Sequence, residues 1–345
     1  MSLTPSPFES FIRRVPKIEL HVHLEGSVQP ATLRELARGK KRPDLDVEQW
    51  VLAREATGYR YAAFMDFVEA FKFVALLLET PEDYALATTR MMEQLAAQKL
   101  RYAEVTLSAG VILWKKQSLE PIFEAVLEAA QAAERRLGLR VNWIFDAVRQ
   151  FGTDHAREVV EWAGRYQSRG VVAFGIGGDE ARGPAELFPE VFRRARDLGL
   201  HTVAHAGETV GPESIRRSVE MLAAERIGHG LTAFQDPEVL AMLRDRAVPL
   251  EVCLTSNVAT GLLKRIEDHP LRQMLEAPLV VTLHSDDPAL FDTTLQEEFQ
   301  RAANCFSLSR QELTELCLAA ARSAFLSAHD RQRLLAEIQS AATLG

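Results

Sequence analysis

IELHVHLEGS occupies residues 18–27. Apolar, β-favouring residues run to Leu24 and the run breaks at Gly26, which reads as a strand meeting a turn. His21 and His23 stand near its end, two residues apart. On a strand, residues i and i+2 share a face, so both imidazoles project the same way. Such a pair is either two histidines satisfied by local hydrogen bonds or half of a metal site. The rest of the chain decides between them.

Seven further stretches follow the same plan, apolar and then broken by polar or glycine residues. They are LRYAEVTLS (100–108), LRVNWIFDAV (139–148), VVAFGIGG (171–178), HTVAHAGE (201–208), ERIGHG (225–230), PLEVCLTSN (249–257) and LVVTLHSDD (279–287). Helical patterns lie between them, such as EPIFEAVLEAAQAAERRLG (120–138), which stops at a glycine, and AELFPEVFRRARDLG (185–199). Strands alternating with helices predict βα units and a parallel sheet. Eight such strands predict an α/β fold of the (β/α)8 TIM-barrel type. The rival, an open doubly wound sheet binding a dinucleotide, lacks its GxGxxG after the first strand; FGIGGDE at 174–180 does not fit that fingerprint. The first crossover, about 27–99, is far longer than one helix and predicts a helical insertion. Within it RYAAFMDFVEAFKFVALLLE (60–79) is helical and aromatic. Most of these rings are expected in the core, with Phe64, Phe67 or Phe71 reaching a ligand from a lid. The chain, 1–345, reads as one domain.

Composition narrows the function. Lys+Arg is 40 against Asp+Glu 48, a net charge of −8, which argues against a nucleic-acid partner, since phosphate binding needs clustered basic residues. No apolar run approaches the roughly 18 residues that span a bilayer, so no membrane role is expected. The N-terminal MSLTPSPFESFIRR has no hydrophobic signal core and is set apart from the fold reasoning. Cys253, Cys305 and Cys317 form no CxxC pair, which suits a reducing cytoplasm. Nothing in the sequence fixes an oligomeric state.

The predicted strand ends collect polar residues. Strand one gives His21 and His23, strand four Gly178, Asp179 and Glu180, strand five His205 and Glu208, strand six His229, and strand eight Asp286 and Asp287. In a barrel these ends converge on one face, where active sites lie. One histidine is ordinarily structural and Asp-Asp-Pro is ordinarily a turn. Five strands all ending in ligand or proton-transfer chemistry are harder to dismiss. His21, His23, His205 and Asp286 supply three nitrogens and one oxygen, a donor set suited to catalytic zinc. Glu208 lies three residues after His205, placed to hand over a proton, and His229 has the character of a base. His155, His269 and His329 fall outside this pattern, and His201 begins its strand at the opposite end.

In this order, HVHLEGS, HAGE, R-x-GHG and SDDP resemble the motifs of the adenosine deaminase family of metal-dependent hydrolases, from about Lys17 to Phe291. The resemblance implies a (β/α)8 barrel with one zinc held by His21, His23, His205 and Asp286. It implies that Glu208 protonates purine N1 and that His229 orients and deprotonates the attacking water. Asp287 would meet N7 and the Gly178 N–H would meet N3. Water then adds at C6 of a small adenine-containing substrate and ammonia leaves. The PCxxC signature of cytidine-deaminase-type zinc sites is absent, and strand four lacks the lysine of binuclear relatives, so one metal is expected. Glu25 stands where adenosine deaminases usually carry Asp, beside the ribose 5′-hydroxyl. The extra methylene moves the carboxylate by more than about 1 Å, which shifts the expected substrate toward a 5′-modified nucleoside such as 6-aminodeoxyfutalosine. His284 stands where the family usually has Asn, on the strand face of Asp286, and is a minor candidate for the metal. Two other readings remain open: an adenine deaminase or another mononuclear zinc amidohydrolase, and a non-enzymatic metal-binding protein. A pure metal site would need neither Glu208 nor His229, which argues against the last.

Overall fold

Buried strands make the frame. The structure, a computed structural model, describes residues 7–40, 42 and 44–343; the first six residues of the N-terminal stretch considered above lie outside these. Eight strands run in chain order, β1 (Lys17–His23), β2 (Leu100–Leu107), β3 (Arg140–Val148), β4 (Val171–Gly177), β5 (His201–Ala206), β6 (Arg226–His229), β7 (Leu250–Val252) and β8 (Val281–Leu283). Each pairs in parallel with the next. A bridge between Val22 and Asp286 closes the ring. There the His23 amide donates to the Asp286 carbonyl at 2.9 Å, and the Asp286 amide to the His21 carbonyl at 2.9 Å. This is the (β/α)8 barrel. Its strands are covered on both faces, which is why they read as apolar runs and not as alternating ones.

Helices fill the connections. Leu119–Leu137 turns Ile122, Phe123, Val126 and Ala130 inward at helical spacing. Between β1 and β2 the described residues form four α-helices, Pro30–Ala37, Val47–Thr57, Phe64–Leu77 and Pro81–Ala97. The last starts with a reciprocal cap, in which the Asp83 amide donates to the Thr80 hydroxyl and the Thr80 amide to the Asp83 carboxylate.

Two stretches depart from the sequence reading. PLEVCLTSN is strand only over Leu250–Val252, and Leu254–Ala259 is helical. The helix brings Ser256 to Asp286 and Asn257 to His229, contacts a longer strand would not make. AELFPEVFRRARDLG splits at Pro189, which opens the helix Pro189–Asp197 after a short 3-10 turn. Among the described residues no helix is long and apolar enough to cross a membrane.

Candidate active site

The strand ends meet at a cavity of about 310 Å³ lined by residues that include His23, His205, Glu208, His229, Asp286, Asp287 and Gly178. His21 lies just behind it. Its ring centroid is 4.6 Å from that of His205 and 5.0 Å from that of His229. Asp286 Oδ1 stands 3.3 Å from His21 Nε2 and 3.3 Å from His23 Nε2. Asp286 Oδ2 accepts from the Ser256 hydroxyl at 2.6 Å. Glu208 Oε1 is 3.5 Å from His229 Nε2. His21, His205, His229 and Asp286 each offer a donor atom within 4.8 Å of the others, and His23, Asp286 and Asp287 do the same. The structure therefore draws all six residues together, with Asp286 shared by both groups.

Local backbone explains the aim of these side chains. His229 and Asp286 both have left-handed backbone, with φ of 62° and 63°. That conformation is costly for a side-chain-bearing residue and is concentrated at functional sites. Gly178, at φ 93°, turns β4 sharply, and a Cβ there would stand 2.5 Å from Gln150 Oε1. Gly26 lets Asp287 close in, since a Cβ on it would lie 1.7 Å from Asp287 Oδ1. Glu180 organises the loop after β5: its carboxylate accepts from the amides of Gly207 at 2.9 Å, Glu208 at 2.9 Å and Thr209 at 2.8 Å.

Burial shapes the charges. Glu208 is held well above the usual carboxylate range by burial and by the nearby Asp286 and Glu180 carboxylates. Asp287 is raised in the same way by burial and by Asp286. Burial, opposed by Asp286, lowers His229 to about 3, so its imidazole is neutral. His205 is lowered well below 6.5 by burial and by the facing His21, His229 and His23. Burial would lower His21 too, but the facing Asp286 and Glu251 carboxylates override it and raise it.

The donor set suits a divalent cation. His21 Nε2 and His23 Nδ1 are buried without a hydrogen-bond partner. Glu251 Oε2 lies 2.9 Å from His21 Nδ1, so it accepts a hydrogen bond from Nδ1–H and fixes the tautomer whose lone pair is on Nε2. Zinc takes neutral imidazoles and a carboxylate, so its binding would release the proton that His21 holds in the metal-free site.

The other predicted residues fall as follows. Phe64, Phe67 and Phe71 line the cavity from the helix Phe64–Leu77. Glu25 is buried but not among the lining residues; its carboxylate accepts from the Ser108 amide at 3.2 Å, and Ser108 forms the wall. His284 has both ring nitrogens engaged, Nδ1 at 2.8 Å from Glu19 and Nε2 at 2.8 Å from the Thr282 hydroxyl. His201 stacks on Phe325 and pairs with Glu225 at the far end of β5. Sequence reasoning placed Glu180 at the end of strand four without a role, and missed Glu251 and Asp146. Each is a carboxylate beside or within a predicted apolar strand, and that isolation was the available signal.

Residues 16–341 match the family profile described as adenosine deaminase. The chain belongs to the adenosine deaminase family. It is 38% identical over 339 residues to the aminodeoxyfutalosine deaminase of Streptomyces avermitilis, covering 98% of this chain and 94% of that one. It is 30% identical to the adenosine deaminase of Clostridium kluyveri, covering 96% and 95%. The crystal structure of the adenine deaminase of Arthrobacter aurescens superposes with a TM-score of 0.87 at 29% identity, covering 94% and 98%. As a member of the adenosine deaminase family the chain is a zinc-dependent hydrolase of C–N bonds that deaminates a small-molecule substrate.

Proposed function

We propose that this family member removes the 6-amino group of an adenine nucleoside modified at its 5′ position, with 6-aminodeoxyfutalosine the leading candidate. The reading is carried by one observation: Asp286 Oδ1 stands 3.3 Å from both His21 and His23, beside a cavity that also holds Glu208 and His229. Aminodeoxyfutalosine deaminases of Streptomyces avermitilis and Streptomyces coelicolor, 38% and 36% identical over nearly the whole chain, support the substrate. The three free cysteines support a reducing, cytoplasmic setting.

In this proposal His21, His23, His205 and Asp286 hold one zinc. Bound there, zinc would lower the pKa of a water molecule to about 7. His229, neutral and 3.5 Å from Glu208, orients the attacking water and accepts its proton. Glu208, kept protonated by burial, gives its proton to N1 as the water oxygen adds to C6. His229 returns the water's proton to the amino group, which leaves as ammonia as the C6–N bond breaks, and the C6 hydroxyl proton passes back to Glu208 as the carbonyl forms. Asp287 is protonated for the same reason and donates to the N7 lone pair; the Gly178 amide donates to N3. Phe64 and Phe67 cover the ligand. Glu25, packed behind Ser108, sets the room at the 5′ end.

The test is a substrate panel. Ammonia release should give a higher kcat/KM for 6-aminodeoxyfutalosine than for adenosine or free adenine, and Glu25→Asp should move preference toward adenosine. A wild-type preference for adenosine over every 5′-modified analogue would overturn the substrate assignment.

A further inference from the structure

Asp146 lies in the buried part of β3, within NWIFDAV, the only carboxylate of that strand. It is 5% exposed, and the little surface it keeps faces the cavity it helps to line. Its side chain has no hydrogen bond or ion pair with another described residue. Arg149 is the nearby cation, but its guanidinium donates to the carbonyls of Gly183 and His205. The adjoining β4 leaves the carboxylate room. A Cβ on Gly177 would stand 3.2 Å from Asp146 Oδ2, and one on Gly175 3.3 Å from Oδ1. A carboxylate buried without donors is costly, and buried polar groups nearly always have partners. Here the open direction is the cavity, so the missing donor comes with the ligand.

An adenine nucleoside offers few donors. Its ring nitrogens N3 and N7 are acceptors and its 6-amino group is a donor. That amino group must sit at the reacting carbon, beside Glu208 and His229. The remaining donors are sugar hydroxyls, and a ligand modified at the 5′ position keeps those at 2′ and 3′. We propose that Asp146 is a substrate-binding residue that accepts a hydrogen bond from the 2′- or 3′-hydroxyl of the ribose. This rests on the nucleoside reading above and deepens it, because the carboxylate then selects nucleosides against the free base.

The experiment compares wild type, Asp146→Ala and Asp146→Asn on adenosine, 2′-deoxyadenosine, 3′-deoxyadenosine and 3-deazaadenosine, with zinc content measured in parallel. One deoxy analogue should lose roughly 10- to 100-fold in kcat/KM with wild type, the size of a lost charged hydrogen bond. Asp146→Ala should lose the same factor on adenosine, mainly in KM, and nothing further on that analogue. Asp146→Asn, whose amide oxygen still accepts, should fall between, and zinc content should stay at the wild-type level in both variants. Equal losses on all four substrates, or loss of zinc, would overturn the proposal by making Asp146 structural or a metal ligand. Losses that vanish only on the 3-deaza analogue would make ring N3 its partner and overturn the sugar assignment. Failure of the nucleoside reading looks different: wild type itself would then release ammonia neither from any nucleoside in the panel nor from 6-aminodeoxyfutalosine.

Discussion

Glu208 and Glu251 show how two buried glutamates around one site take opposite states. Glu208 has a raised pKa and faces the cavity. Glu251 is driven down to about 2; burial opposes this, but Arg226 and His21 outweigh it. The first is an acid with a proton to give, the second a fixed anion. Glu208→Gln keeps the shape without the acidic proton and should lower turnover about 10²- to 10⁴-fold, with zinc content unchanged by elemental analysis. Zinc loss would instead make Glu208 a ligand. Glu251 bonds to His21 on one side and to Arg226 Nε at 2.6 Å on the other. Glu251→Gln should weaken zinc binding about 10- to 100-fold in a chelator competition. Unchanged affinity would reduce Glu251 to a packing role.

The turn after β1 and the end of β8 act as one unit, because Gly26 admits Asp287. Gly26→Ala forces a methyl onto a buried carboxylate, with 1.7 Å between its Cβ and Asp287 Oδ1. It should cost about 1–3 kcal/mol in urea unfolding and reduce kcat/KM, whereas a wild-type unfolding midpoint would mean the loop yields freely. The eight strands were legible because each is buried on both faces and so reads as an apolar run. The strand-end residues were legible because the barrel's topology puts strand ends side by side. LTSN was misread because a strand of three residues passes into a helix without a glycine or proline between them. Asp146 and the chain Glu104–Arg226–Glu251–His21 escaped because their partners, or the want of one, come from other strands or from the ligand. Single-strand patterns carry no such information.

At the scale of the whole molecule, the barrel's other end carries an unusual cation. Lys17 is fully buried and donates to the carbonyls of Val15 at 3.0 Å and Gln98 at 2.9 Å. Burial lowers its pKa from 10.5 to about 8. Between those values the unfolded chain binds a proton that the folded chain lacks, so stability rises with pH across this window. The full contribution is about 3 kcal/mol. Lys17→Met should remove that rise, seen as a smaller gain in urea midpoint from pH 8 to pH 10 than in wild type; an equal gain would return Lys17 to an ordinary pKa. The central claim is that one zinc, held where five strand ends converge, makes this fold a deaminase. Titrating zinc into chelator-stripped protein while recording ammonia release tests it most directly. Activity should climb linearly and stop at one zinc per chain, whereas full activity in the stripped protein, or a plateau at two zinc ions, would contradict the account.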